Sequence, residues 1–251
     1  MLSSNNYLIS YRTLRQLIGW LGILLPFLCW GVNAVVNRFG LLNNPLLVNK
    51  DQSAVYTAGA DLKSSISHFY YTAAGPLFTG ILITVSIFLF CYTGHPEKKT
   101  EDRLSWLTDR RVATFAAACA LGIVFFPTAS EEPITDNIHI FVSSGFAGKI
   151  HFVFAALFFL AMALMSLVNF RRRPARQMLM DTEGKVYLVC GLGMLLCLLV
   201  LFASIFFKNS GHWLWGRYVY ILEVIMLLLF GIAWLVKGKS VPTEFILKKL
   251  Q

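Results

Sequence analysis

Residues 213–236 read WLWGRYVYILEVIMLLLFGIAWLV, an apolar run interrupted only by Arg217 and Glu223, and this stretch decides the fold. About 20 apolar residues cross a hydrocarbon core of about 30 Å, so Trp213 to Val236 is long enough to span a bilayer. Five further runs pass the same test: Leu17 to Phe39, Phe69 to Tyr92, Val112 to Thr128, Ile150 to Phe170 and Val186 to Phe207. With six spans in 251 residues, little chain is left for a soluble domain. The expected architecture is all-α: a single integral membrane domain over residues 1–251, built as a six-transmembrane-helix bundle.

Composition agrees. Hydrophobic residues make up 57% and charged residues 14% of the chain, at a mean hydropathy of +0.63. A soluble domain carries roughly 25% charged residues. The net charge of +9 comes from 22 Lys and Arg against 13 Asp and Glu, but the basic residues sit between apolar runs, not on one soluble face, so no nucleic acid is expected as a partner. The five cysteines, Cys29, Cys91, Cys119, Cys190 and Cys197, all fall inside or at the ends of predicted spans and read as small apolar residues, with no CxxC signature.

Orientation follows from Lys and Arg in the short connections. Arg12 and Arg15 precede the first span. Lys98, Lys99, Arg103, Arg110 and Arg111 separate the second and third, and Arg171 to Arg173, Arg176 and Lys185 the fourth and fifth. Lys237, Lys239, Lys248 and Lys249 follow the sixth. The alternate connections are poorer in cations, and Ser130 to Lys149 carries Glu131, Glu132 and Asp136 against one lysine. Both termini are therefore expected in the cytoplasm. Arg12 and Arg15 before an apolar run mimic a secretory signal, but the run exceeds a normal signal core and reads as a retained helix. Gly40 to Ser67 is expected to be an external loop with a short surface helix, and Pro242 to Gln251 to lie along the inner surface.

Glu223 is the most informative residue. Ten residues into the sixth span, it is expected about 15 Å below Trp213, where an ionisable group needs a partner and marks a functional site. Tyr71 and His151 are the expected partners. Tyr220 shares the Glu223 face, whereas Arg217 is rotated away and either snorkels to the headgroups or turns to an anionic ligand. Tyr70 and Tyr71 add polar groups at the outer ends of the spans, which suggests a cavity open to the outside. Pro127, near the end of the third span, frees a backbone carbonyl; Gly75 and Gly80 permit close packing.

His68, His151 and His212 open descending spans and are each followed by an aromatic residue. A three-histidine zinc site is the alternative reading; the spacing shows no repeat that would gather them, so no metal and no cofactor is expected. The candidate ligand-binding set is Glu223, His151, Tyr70, Tyr71, Tyr220 and Arg217.

The runs Phe69 to Thr72, Phe78 to Leu82, Phe90 to Gly94, Ala120 to Thr128, Ile150-His151 with Ala155 to Phe159, and Glu223 with Phe230 and Ala233 to Lys237 resemble a bacterial family of uncharacterised six-helix inner-membrane proteins. That resemblance covers most of the second, third, fourth and sixth spans. It implies a multi-pass protein of the bacterial inner membrane, and it includes His151 and Glu223, but it supplies no activity. His68 and Gly75 depart from the family pattern.

The resulting functional expectation is an outward-facing polar cavity that binds a lipid, small solute or ion, with membrane lipids as partners and a homo-oligomer allowed. The competing expectations are a metal-dependent membrane hydrolase acting on a lipid and a ligand-free scaffold or assembly subunit. No internal repeat or broken-helix pair points to a coupled transporter.

Overall fold

The computed structural model describes residues 5–39, 62–94, 106–129, 144–171, 182–205 and 217–239. These form six α-helices: α1 (Asn5–Phe39), α2 (Gly75–Phe90), α3 (Asp109–Phe125), α4 (Ser144–Leu164), α5 (Thr182–Ser204) and α6 (Tyr218–Lys237), with a short 3-10 helix (Ile66–Tyr71) before α2. Among the described residues there is no strand. Four helical stretches, Tyr11–Val36, Gly145–Asn169, Thr182–Ser204 and Tyr218–Lys237, are long and apolar enough to cross a membrane. The chain is thus an all-helical protein of membrane character. α2 is apolar but only 16 residues long, about 24 Å of helix.

Each helix packs against its sequence neighbours, and α1 closes the ring against α6. Neighbours run antiparallel. Arg12 near the start of α1 bonds the Gly238 carbonyl after α6 (2.9 Å), whereas Tyr220 at the start of α6 reaches the Pro26 carbonyl midway along α1 (3.4 Å). Similarly, His151 near the start of α4 meets the end of α3, and Asn169 beyond α4 meets Asp109 at the start of α3 (2.9 Å). Arg12, Arg15 and Gln16 all donate to carbonyls at the α6 terminus, where orphan acceptors and the negative dipole end favour cations.

Lipid is as apolar as a leucine, so close backbone approach, not exclusion of water, holds such helices together. Gly19 and Gly231 supply it between α1 and α6: a Cβ on Gly19 would stand 2.9 Å from the Gly231 oxygen, and one on Gly231 2.6 Å from the Gly19 oxygen. On α3 the buried stripe Ala113, Ala116, Ala117 and Ala120 does the same, and Ser86 of α2 donates to the Ala117 carbonyl at 2.8 Å. The space inside the ring is filled by rings. Trp234 meets Tyr92 and Phe170 edge-on, and Phe158 packs on Phe230.

Several expected boundaries move. The first helix starts near residue 5, because the polar residues before Leu17 continue its helical path to the α6 terminus. The last begins at Tyr218; Trp213, like His212, lies outside the described residues. Helix 4 ends in a wider turn, Met165–Asn169, closed by the Phe170 amide on the Met165 carbonyl at 2.8 Å. The largest change is at the second span. Phe69 to Thr72 is not part of α2, because Pro76 has no amide hydrogen to extend the helix backwards and Thr72 is extended (φ −114°). Gly75 accommodates the corner, since a Cβ there would run into the Tyr70 carbonyl. Gly80, by contrast, has open space around it and is no packing glycine. Of the expected external loop, residues 40–61 lie outside the described residues, as do 242–251 of the tail. The expected surface helix therefore falls outside the described residues; the 3-10 helix that follows is a buried element, with Ile66, Phe69 and Tyr71 covered.

Candidate functional site

The 3-10 helix plugs one end of the ring, and the site is built on it. Its eclipsed positions Ile66 and Phe69 face inward, as a three-residue turn requires, and leave Ser65, Ser67 and His68 for polar contacts. Ser65 caps the start: its backbone is extended and its hydroxyl accepts the Ser67 amide at 3.2 Å.

Glu223 supplies the remaining cap. Its carboxylate accepts the Ile66 amide at 2.7 Å and the Ser65 hydroxyl, which stands 2.9 Å from both carboxylate oxygens and is shared between them. The Tyr220 amide donates to the Ser64 carbonyl at 2.9 Å, so the first turns of α6 and the residues before the plug are stitched together. Tyr71 and His151 are therefore not the partners of Glu223. The expected depth is also corrected: Glu223 is the sixth residue of α6, roughly 8 Å from its start, and belongs to the same end as the histidines.

His151 is buried and bound on both ring nitrogens. Nδ1 lies 2.8 Å from the Phe126 carbonyl and 3.2 Å from that of Ile123. Carbonyls only accept, so Nδ1 carries the hydrogen, and the neutral ring presents a lone pair at Nε2. The Ser67 hydroxyl sits 2.9 Å from that Nε2 and donates to it. The Ile123 carbonyl is free because the helix stops: Pro127 pushes Phe126 out of the α region (φ −117°, ψ 82°), so no following amide continues the ladder onto Ile123. The plug is thus clasped twice, by α6 through Glu223 and by α4 through His151.

The other expected residues scatter around this centre. Tyr71 donates to the Thr128 carbonyl at 2.6 Å, and Tyr70 packs edge-on against Tyr71 at 5.1 Å. Tyr220 turns its hydroxyl away from Glu223 to Pro26, with its ring beside Phe69. Arg217 immediately precedes α6 and is half-buried; no hydrogen bond or ion pair joins its side chain to another described residue. His68 pairs through Nδ1 with Ser64 at 2.9 Å. Among the described residues no three His, Cys, Asp or Glu side chains come together as a metal set. The opposite end carries polar contacts too, with Asn169 bonding Asp109 and the Leu107 carbonyl and Arg15 lying over Tyr11 at 4.4 Å.

Nothing in the sequence alone marks Ser65, Ser67 or the Ile66 amide as partners of Glu223 and His151. The nearest signal is the polar run Ser64-Ser65-Ile66-Ser67-His68 at a span entrance, ahead of Pro76. No protein-family model, no curated protein and no solved structure matches the chain.

Proposed function

We propose that the chain is a six-span protein of a bacterial inner membrane, related to the uncharacterised family it resembles, with both termini in the cytoplasm, and that it binds an anionic phospholipid at the plugged end. The observation that carries this reading is the company the polar seam keeps. Phe125, next to the carbonyl that holds His151, is 50% exposed, and Phe152, next to His151 itself, is 45% exposed. Such rings face acyl chains in a bilayer, so a molecule that reaches the seam brings an apolar body with it. Arg217, half-buried at the start of α6, supplies a cationic group at the same end, which suits a phosphodiester headgroup. Glu223 is not the ligand's anchor in this reading, because the plug already occupies its carboxylate.

The test is photocrosslinking in vesicles of phosphatidylethanolamine and phosphatidylglycerol doped with a diazirine-bearing phosphatidylglycerol. Adducts concentrated at Phe125, Phe146 and Phe152 support a lipid site. Adducts spread evenly along the exposed face of α5, at Val189, Leu192, Leu196 and Leu199, contradict it.

A further inference from the structure

We propose that Ser67 and His151 form a nucleophile and general-base pair that cleaves an ester bond of the bound lipid, a catalytic assignment that rests on the lipid-binding reading above.

Two elements of a serine hydrolase are present in geometry. Nucleophile and base are in contact, Ser67 Oγ to His151 Nε2 at 2.9 Å, and the base is oriented from behind by the Phe126 carbonyl at 2.8 Å. The tautomer is the productive one, since the carbonyls hold the hydrogen on Nδ1 and leave Nε2 to take the serine proton. The last carbonyls of α3 form the negative end of a helix dipole, so they also favour the imidazolium created when that proton arrives. The third partner in such sites need not be a carboxylate; its task is to fix the ring and stabilise its charge, and two carbonyls do both.

Burial differs along the pair in the useful direction. His151 is 5% exposed, shielded from solvent, whereas Ser67 is only partly buried and can meet a substrate. Its position on the plug is fixed by the Ser65 cap and by Glu223, which makes Glu223 a positioning residue rather than a catalytic one.

The step balances with water as the only co-reactant. Ser67 Oγ attacks the ester carbonyl carbon while its proton passes to His151 Nε2. The tetrahedral intermediate expels the alcohol oxygen, which takes that proton, leaving acyl-Ser67. Water then attacks the acyl carbon with its proton moving to His151, and the proton returns to Ser67 Oγ as the fatty acid leaves. The sum is ester plus water giving acid plus alcohol.

The experiment uses the full chain in nanodiscs with a fluorophosphonate probe, the labelled residue being read by peptide mass spectrometry, beside fatty-acid release from phosphatidylglycerol labelled in its acyl chain. Labelling is expected at Ser67 and is lost in Ser67→Ala. It falls at least about 100-fold in His151→Gln, the usual scale for loss of a general base. Thr84→Ala, whose hydroxyl bonds within α2, is the control expected to label normally. For protein that elutes as a single sharp species, no labelling at Ser67 and no fatty-acid release overturn the assignment. Lipid crosslinks at Phe125 and Phe152 without Ser67 labelling remove the catalytic inference alone. Absence of those crosslinks removes the lipid reading beneath it.

Discussion

Pro127 ends α3 and His151 closes the end from the neighbouring helix: its Nδ1 lies 3.2 Å from the Ile123 carbonyl, which a continuing helix would have bonded. The carbonyls left open at this helix terminus, Phe126 at 2.8 Å and Ile123 at 3.2 Å, together select which ring nitrogen of a buried histidine is protonated. Everything that Nε2 does at the plug follows from that choice.

His151→Ala removes a ring satisfied on both sides and strands the Ser67 hydroxyl, so it is expected to cost about 1–3 kcal/mol. Pro127→Ala restores a competing amide for Ile123 but leaves the 2.8 Å bond to Phe126 intact, so its cost should be clearly smaller. Thermal unfolding in one detergent, followed by loss of the monodisperse species, ranks the two. A larger loss for Pro127→Ala would contradict the tautomer argument.

Glu223 and Ser65 act as one unit, so their losses should not add. Glu223→Ala leaves the Ile66 amide and the Ser65 hydroxyl without an acceptor, again about 1–3 kcal/mol. Glu223→Gln retains one carbonyl for Ile66 and is expected to be milder. A double-mutant cycle with Ser65→Ala should give a coupling of at least about 0.5 kcal/mol, and strict additivity would mean the two do not touch.

Gly75 and Gly80 look alike in the sequence and differ in space. Gly75→Ala pushes a methyl group into the Tyr70 carbonyl at the corner between plug and α2 and should destabilise by about 1–3 kcal/mol; Gly80→Ala, facing open space, should be neutral or slightly stabilising. Equal effects in unfolding assays would contradict the break in the second span.

How much was legible follows from what each signal depends on. Apolar runs depend only on local composition, and every α-helix found overlaps one of them, from Asn5–Phe39 to Tyr218–Lys237. The ends were less legible, because interfacial residues such as Arg12 extend a helix when they find a partner like Gly238 far along the chain. His151 and Glu223 were recognisable because a polar group inside an apolar run needs a reason to be there. Their partners were not, since Ser65 and Ser67 are ordinary residues of a polar connection until Pro76 and Gly75 fold that connection back into the ring. Thr72 at −114° and 176° is where the hydropathy pattern and the backbone part company.

Topology is tested by single cysteines in a background with the native five replaced. In spheroplasts an impermeant maleimide is expected to label positions in Ser130 to Gly148 and to spare those in Pro174 to Glu183. Labelling of the second connection from outside would reverse the protein in the membrane.

The site exists only if the plug lies between α6 and α4, and a pair of crosslinks measures that seating. Ser65→Cys with Glu223→Cys, and separately Ser67→Cys with His151→Cys, should be bridged in native membranes by a short bifunctional methanethiosulfonate, which replaces the reach of the lost Glu and His side chains, the products being read by peptide mass spectrometry. Tyr71→Cys with Glu223→Cys should not, because Tyr71 is turned to Thr128. Efficient bridging of the Tyr71 pair with none in the other two would mean that the second span continues as a helix through Tyr71 and that Glu223 and His151 do not clasp the plug.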